Sequence, residues 1–258
     1  MRIAASSWSF QNSIIGGQMT LQQFVDVCSQ ELGLDAVEYV ESQLVALTSE
    51  ERGSIVDYSH RSGCDIVCLA ASADLAVRDG EVAYQEEIDS AVQWAKWAQS
   101  HGVSRFRVNS GYCCLTGDAA DRMADGILRI LSGTPGKEPV VVIENLGSPW
   151  ECAENIVDLI RRMDSNRVGA CLDFGNFGHQ DPYEAARVIA PYAKHVHAKS
   201  YEFTKEGSES TLDYSELFGI LSDSAYSGTV SVEFEGENSD DELDGAKRTL
   251  ALIRMATR

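Results

Sequence analysis

Val140-Val141-Val142-Ile143-Glu144 is a short apolar run that ends in a carboxylate. A similar pattern, a short segment that ends in an acidic or imidazole side chain, occurs three more times in the second half of the chain, in Val168-Gly169-Ala170-Cys171-Leu172-Asp173, His195-Val196-His197 and Val230-Ser231-Val232-Glu233. Each run predicts a short buried strand with one potential metal ligand at its C-terminal end. In a parallel α/β barrel the C-terminal ends of all strands meet on one face, so these four side chains are expected to converge.

Strand-like segments recur along the whole chain and alternate with helical patterns. The predicted strands are Ile3–Ser7, Ala36–Val40, Asp65–Ala71, Ser104–Asn109, Val140–Asn145, Gly169–Phe174, His195–Lys199 and Thr229–Glu235. Several helices between them start with a recognisable cap, and Thr20 followed by Gln23 has the spacing of a capping box. Eight strand–helix pairs in 258 residues predict an α/β fold, namely one TIM barrel, (β/α)₈, in which residues 1–258 form a single domain.

A doubly wound sheet is the other α/β arrangement to weigh. It would usually have fewer strand–helix pairs and would often have a glycine-rich turn after its first strand. The segment at that place, Trp8-Ser9-Phe10-Gln11-Asn12, contains no glycine, and the chain has no P-loop pattern. The barrel is therefore the preferred prediction.

Composition limits the partners and the compartment. The formal net charge of −19 would repel phosphates, so no nucleic-acid partner is expected. No apolar run reaches the roughly 18 residues of a membrane span, and the N-terminus lacks a signal-peptide pattern. The seven cysteines are scattered, which predicts reduced thiols and a cytoplasmic protein. The oligomeric state stays open, with a homo-oligomer as one option.

The four strand-end residues have the chemistry of a metal site. Glu144, Asp173, His197 and Glu233 supply mainly hard oxygen donors, which suits one divalent ion, with Mn²⁺ preferred and Mg²⁺, Co²⁺ or Zn²⁺ as alternatives. An ion that chelates a carbonyl and a neighbouring hydroxyl acidifies the C–H between them and stabilises an enediolate. Glu144 and Glu233, on the fifth and eighth strands, can flank a substrate as catalytic base and acid. One such Glu alone would be a surface ion pair, but four successive strand ends favour a metal site.

Several segments resemble the signatures of the sugar phosphate isomerase/epimerase family, which has the xylose isomerase-like barrel. They are Val141-Val142-Ile143-Glu144-Asn145, Leu172-Asp173-Phe174-Gly175-Asn176-Phe177, His195-Val196-His197-Ala198-Lys199-Ser200 and Ser231-Val232-Glu233-Phe234-Glu235-Gly236, with early matches at Ser6-Ser7-Trp8-Ser9-Phe10 and Ala36-Val37-Glu38. The resemblance implies Glu144, Asp173, His197 and Glu233 as metal ligands, with Glu144 and Glu233 also as acid/base groups. Family members include isomerases, epimerases, dehydratases and carbon-glycoside-cleaving subunits, so the reaction stays open.

Side chains near the predicted strand ends supply candidates for substrate binding. They are Trp8, Glu38, Arg107, Asn109, Asn176 and Lys199. Aromatic faces and amides suit polyhydroxylated ligands, although Trp8 fits a core position equally well. Arg107 is expected either to bind substrate or to neutralise Glu38. Lys199 shares the face of His197, since side chains two apart in a strand point the same way, and it either holds a substrate oxygen or pairs with Glu235. On the same face, His195 is expected to be a hydrogen-bonded core histidine.

Asn176 marks a departure from the epimerase branch of the family, which commonly has a His three positions after the Asp ligand. An amide can hydrogen-bond a hydroxyl but cannot titrate, so proton shuttling at this position is not expected. His179 is an alternative, and a solvated loop histidine is the simpler interpretation. The apurinic endonuclease branch uses several more His ligands, so the five histidines and the negative charge argue against DNA repair.

The leading hypothesis is a metal-dependent isomerase or epimerase of a small carbohydrate or keto-sugar. No phosphate cradle is evident, so an unphosphorylated substrate is preferred. One alternative is a lyase on the same site, either a dehydratase of a sugar or inositol derivative or a carbon-glycoside-cleaving subunit. The other alternative is a non-catalytic sugar-binding barrel, which would bind a metal without exchanging substrate protons.

Overall fold

The computed structural model of the chain describes residues 1–76, 80–109, 118–146, 153–236 and 241–257. Eight parallel strands close into a barrel in which each strand pairs with its neighbours in chain order and the last pairs with the first. These strands are β1 Arg2–Ser6, β2 Ala36–Val40, β3 Asp65–Asp74, β4 Arg105–Asn109, β5 Val140–Glu144, β6 Val168–Asp173, β7 Ala193–Ser200 and β8 Thr229–Phe234. The predicted (β/α)₈ TIM barrel is confirmed.

Helices follow the strands and cover the outside of the barrel. Within the described residues the α-helices are α1 Gln11–Ile15, α2 Leu21–Asp26, α3 Ser49–Arg61, α4 Glu81–Ser100, α5 Asp118–Gly133, α6 Ala153–Met163, α7 Pro182–Ile189, α8 Tyr214–Asp223 and α9 Glu242–Ala256. The predicted capping box at Thr20 is present, because Thr20 and Gln23 each accept a hydrogen bond from the other's backbone N–H. None of the helices in these ranges is both long enough and apolar enough to span a bilayer.

Strand boundaries differ from the predicted ones where pairing, rather than hydrophobicity, decides them. β3 continues past the predicted end at Ala71 to Asp74, since a register shift between Ala70 and Asp74 lets Asp74 pair with Asn109. β7 begins at Ala193 instead of His195, because Ala193 pairs with Ala170 of β6. The sequence predicted reduced thiols, and Cys28, Cys64, Cys68 and Cys171 are free and buried. The other three cysteines, Cys113, Cys114 and Cys152, lie outside the described residues.

The register of β5 to β8 determines which side chains lie beside one another inside the barrel. Glu144 pairs with Cys171, Asp173 with His197, and Lys199 with Glu233. Residues paired across parallel strands lie at similar height, and alternate residues point to the same face. The C-terminal halves of these four strands therefore present their polar side chains to one another in the barrel mouth.

Candidate metal centre

The four predicted metal ligands come together at the C-terminal ends of β5 to β8. One ligand atom from each of Glu144, Asp173, His197 and Glu233 lies within 4.8 Å of the others, and all four side chains are buried. Two of the carboxylate oxygens, Asp173 Oδ2 and Glu233 Oε2, are buried and make no hydrogen bond, although charged groups lie nearby. Buried polar atoms without a partner are uncommon, and a cation would satisfy both. Three carboxylates and one imidazole are suitable donors for a divalent ion.

The ring of His197 is oriented for ligation through Nδ1. This nitrogen lies 2.5 Å from Glu144 Oε1, 3.1 Å from Glu233 Oε2 and 3.8 Å from Asp173 Oδ2. The other nitrogen, Nε2, lies 2.9 Å from Glu38 Oε1. A ligating imidazole is usually fixed through its second nitrogen in this way, which sets the ring orientation and the tautomer.

Glu38 lies behind His197 and is completely buried. Its Oε2 lies 2.7 Å from His195 Nε2 and accepts a hydrogen bond of 2.6 Å from the hydroxyl of Ser231. Burial alone would raise the pKa of Glu38, but His197 and His195 outweigh it and hold that pKa well below its usual range. Glu38 was predicted to bind substrate, and the structure instead surrounds its carboxylate with these three side chains. His195 is buried, as predicted.

Lys199 connects the cluster to the barrel rim. Its Nζ lies 3.0 Å from Glu235 Oε2, 3.4 Å from Asp173 Oδ2 and 3.5 Å from Glu233 Oε2. Burial opposes the charged ammonium, but these three carboxylates raise the pKa of Lys199 well above its usual value. The other oxygen of Glu235 accepts a 3.2 Å hydrogen bond from Trp8 Nε1. Of the two predicted roles for Lys199, the structure shows the pairing with Glu235, and it places the partly exposed Trp8 beside that pair.

Arg107 lies against Glu144 on the other side of the cluster. Its Nε is 3.6 Å from Glu144 Oε2, so the ion-pair partner of Arg107 in the structure is Glu144 and not the predicted Glu38. Arg107 also donates hydrogen bonds to the carbonyl of Ala71 and to the side-chain oxygen of Asn109. Burial works against ionisation of Glu144, yet Arg107 and His197 lower its pKa below the usual value.

The pKa values of the other two carboxylates of the cluster shift in opposite directions, although burial raises both. The pKa of Asp173 is raised well above its usual value, mainly by burial, with Lys199 opposing and Glu233 and Glu144 adding repulsion. The pKa of Glu233 is lowered despite burial, because His197 and Lys199 lie close to it. Buried carboxylates at this spacing repel one another, so a divalent ion among them would favour ionisation of all three.

Two buried residues that the sequence did not single out belong to this region. Asn145 donates through Nδ2 to the backbone carbonyls of Asp173 and Asn176, at 2.9 and 3.0 Å, and accepts a 2.7 Å hydrogen bond from the N–H of Asp173. Asn145 follows Glu144 directly in the sequence, and this position beside a predicted metal ligand could have identified it. Cys171 lies two residues before Asp173 on the same face of β6, so strand parity could have identified it. Asn176 enters this network through its backbone carbonyl, and His179 is exposed.

Comparisons with known proteins agree with this architecture. The family model described as xylose isomerase-like TIM barrel matches residues 28–256. A D-psicose 3-epimerase from Clostridium cellulolyticum H10, solved with D-tagatose, has a similar structure, with a TM-score of 0.77, 13% identity, and coverage of 100% of this chain and 98% of that one. A probable 3-DHS dehydratase from Bacillus anthracis superposes with a TM-score of 0.72, 14% identity, and coverage of 97% and 99%. At these identities the likeness shows the fold.

A shorter match has higher identity. A stretch of 79 residues, 31% of this chain, is 37% identical to the 3'-dehydrocarminate deglycosidase alpha subunit of a Microbacterium species. That stretch spans 21% of the length of the Microbacterium protein.

Proposed function

The chain belongs to the xylose isomerase-like TIM barrel family, and from this premise we propose that it is a divalent-metal-dependent isomerase or epimerase of a small carbohydrate or keto-sugar. One observation carries the proposal: Glu144, Asp173, His197 and Glu233 present ligand atoms within 4.8 Å of one another at the barrel mouth, and two of their oxygens make no hydrogen bond. The similarity of the fold to that of a D-psicose 3-epimerase supports the sugar substrate.

Glu144, Asp173, His197 and Glu233 would hold the ion, with Mn²⁺ preferred. When bound, a divalent cation would polarise a substrate carbonyl and stabilise the negative charge that develops when a neighbouring C–H is deprotonated. The chain supports that chemistry with three buried cationic or ionisable groups, His197, Lys199 and Arg107, packed against the carboxylates.

Glu144 and Glu233 are the proposed acid/base pair. They lie on strands three apart in the barrel, so they approach a substrate from different sides, and one carboxylate can remove a proton from one face while the other returns a proton to the opposite face. Their lowered pKa values keep both carboxylates ionised near neutral pH, and an ionised carboxylate is the form that accepts a proton. The nearby Arg107 and Lys199 stabilise that form.

Trp8, Lys199, Asn109 and Asn176 are proposed to contact the substrate. Trp8 is partly exposed beside Glu235, and its ring can pack against the C–H face of a sugar. The ammonium of Lys199 lies between the metal cluster and this rim, where it can bind a hydroxyl or carbonyl oxygen of the substrate. Glu38 is proposed instead to orient His197, because both of its carboxylate oxygens are already engaged.

A lyase is the second candidate, supported by the match to the deglycosidase alpha subunit and by Asn176 in place of a titratable histidine. A lyase would begin with the same proton abstraction next to a carbonyl and would then eliminate a hydroxyl or a glycoside bond. The two candidates therefore share Glu144, Glu233 and the ion, and differ in what leaves the substrate after deprotonation.

Nuclear magnetic resonance of the Mn²⁺-loaded protein in D₂O, on a panel of ketoses, aldoses and 3-keto-sugars, tests the proposal. Deuterium incorporated next to the carbonyl together with an epimer or isomer supports it, and deuterium with a dehydrated or cleaved product supports the lyase. The matched variant Glu144→Gln should incorporate deuterium about 10²–10⁴-fold more slowly. If sugars of the panel bind but none exchanges a proton for deuterium, both enzyme proposals are wrong and the chain is a non-catalytic sugar-binding barrel.

A further inference from the structure

Cys171 is a buried thiol one layer below Asp173 on β6, at a height similar to that of Glu144 on the neighbouring strand. It lies two residues before Asp173 on β6, with a side chain on the same face, so it is about 6–7 Å deeper in the barrel. Its register partner on β5 is Glu144, and its partner on β7 is His195. The side chain has no exposed surface, and the proposed mechanism does not use it.

Three side chains around this thiol form a compact group of their own. Ligand atoms of Glu144, Cys171 and His197 all lie within 4.8 Å of one another, and all three residues are buried. This group shares Glu144 and His197 with the proposed catalytic centre and replaces Asp173 and Glu233 with sulfur. These two groups are overlapping ligand sets, an upper one dominated by oxygen and a lower one with one oxygen, one nitrogen and one sulfur donor.

We propose that Glu144, Cys171 and His197 form a second metal site, selective for thiophilic ions such as Cd²⁺ and Zn²⁺. The inference rests on the proposed function in that it takes the upper cluster as the catalytic metal site. Thiolate ligands favour Cd²⁺ and Zn²⁺ over the hard ions Mn²⁺ and Mg²⁺, which prefer oxygen. Formation of the metal–sulfur bond replaces the S–H bond, and the thiol proton is released to solvent.

Competition between the two sites follows from their shared residues. An ion at the upper cluster and an ion at the lower group would both need Glu144 and His197 as ligands, so the two sites cannot be filled independently. A Cd²⁺ or Zn²⁺ ion held by Cys171 therefore excludes or displaces the ion of the upper cluster. Thiophilic ions are expected to inhibit the protein by occupying this lower site, and Cys171 is expected to set that sensitivity.

Titration of the metal-free, full-length protein with Cd²⁺ tests the second site without reference to activity. Thiolate-to-cadmium charge transfer absorbs in the ultraviolet, so each Cd–S bond formed is counted directly. The wild type should show one more Cd–S bond per chain than Cys171→Ser, and the variant should bind Cd²⁺ at least about 10–100-fold more weakly, the range typical of losing even an outer partner of a metal ligand. The absorption that remains in Cys171→Ser reports any other thiols.

Cys68→Ser is the matched control, because Cys68 is also a fully buried thiol and pairs in register with Glu38, yet it lies outside the ligand group. This control should keep the wild-type signal. Equal signals in the wild type and Cys171→Ser overturn the proposal. Circular dichroism tests whether Cys171→Ser is folded. If Cys171→Ser does not fold, the titration is repeated with Cys171→Ala, which keeps an apolar side chain in the barrel.

Asp173→Asn separates this inference from the proposed function, since Asp173 belongs only to the upper cluster. This variant should lose Mn²⁺ binding and retain the Cd²⁺ signal of Cys171. If the wild type binds Mn²⁺ and the Cys171-dependent signal is missing, the second site is wrong and the catalytic centre stands. If the Cd²⁺ signal is present and Mn²⁺ does not bind, the proposed catalytic centre is wrong and the sulfur site stands.

Discussion

Glu38 fixes the ring of His197 from behind, with Oε1 2.9 Å from Nε2, and thereby directs Nδ1 toward the carboxylates of β5 and β8. The contact crosses the barrel interior from β2 to β7, two strands that are not neighbours. A carboxylate at Nε2 favours the proton on that nitrogen, so the lone pair of Nδ1 is available to a cation. The ring orientation of the proposed metal ligand His197 thus depends on a residue outside the proposed ligand set.

Glu38→Gln should weaken Mn²⁺ binding by about 10–100-fold, because loss of an outer partner of a ligating histidine typically has this effect. The amide keeps the size of the side chain but removes the charge that holds the imidazole. Calorimetric titration of the metal-free protein measures the dissociation constant. Glu202→Gln, at an exposed site after β7, is the control. Unchanged affinity in Glu38→Gln would show that His197 does not need this support.

Glu144→Gln and Glu233→Gln should each lower kcat by about 10²–10⁴-fold, the usual contribution of general acid–base catalysis. Glutamine keeps the size and most of the hydrogen bonding of each side chain and cannot accept the substrate proton. Rates are measured at saturating Mn²⁺, with bound metal determined on the same samples, so that loss of the ion is distinguished from loss of the base. Full activity of both variants with metal bound would refute the two-carboxylate mechanism.

Lys199→Met should destabilise the metal-free protein near pH 7 by about 3–5 kcal/mol, since removal of one partner leaves buried carboxylates without their counter-charge. Saturating Mn²⁺ should reduce this loss, because the ion compensates Asp173 and Glu233. Urea unfolding with and without chelator measures both values. The control is Lys247→Met, whose half-exposed pair with Glu31 should contribute no more than about 1 kcal/mol. A loss no larger than that control would mean that Lys199 is not a counter-charge of the cluster.

The metal-free protein should lose stability in acid partly through Glu38. Its folded-state pKa lies well below the ordinary value of 4.5, so below that pH the unfolded chain binds more protons than the folded one. The stabilisation is fully present above about pH 4.5 and is lost as the pH falls through the folded-state pKa. The free energy of unfolding of the wild type should therefore fall more between about pH 6 and pH 3 than that of Glu38→Gln. Parallel pH curves for the two proteins would contradict this role.

Sequence patterns predicted the barrel and the convergence of the four proposed metal ligands. Both follow from the periodicity of the strands and from the common direction of parallel strands, whose C-terminal ends meet on one face. The sequence also identified Lys199 and Glu235 as possible partners through the parity of β7 and β8. It could not place Glu38, because the height at which a side chain of β2 meets one of β7 depends on the register around the whole barrel. The role of Asn145 was missed for a similar reason: its partners are backbone atoms of the β6 end.

The proposed metal ligands all come from β5 to β8, whereas two of the proposed substrate contacts, Trp8 and Asn109, come from the first half of the chain. This partition makes the barrel suitable for chimeras. Exchanging the segment before β5 for that of a relative would replace part of the ligand-recognition surface while leaving the four ligands in their original half-barrel. Glu38 and Arg107 are the exceptions, because Glu38 reaches across to His197 and Arg107 lies against Glu144. A functional hybrid therefore has to retain both of these side chains in its foreign half.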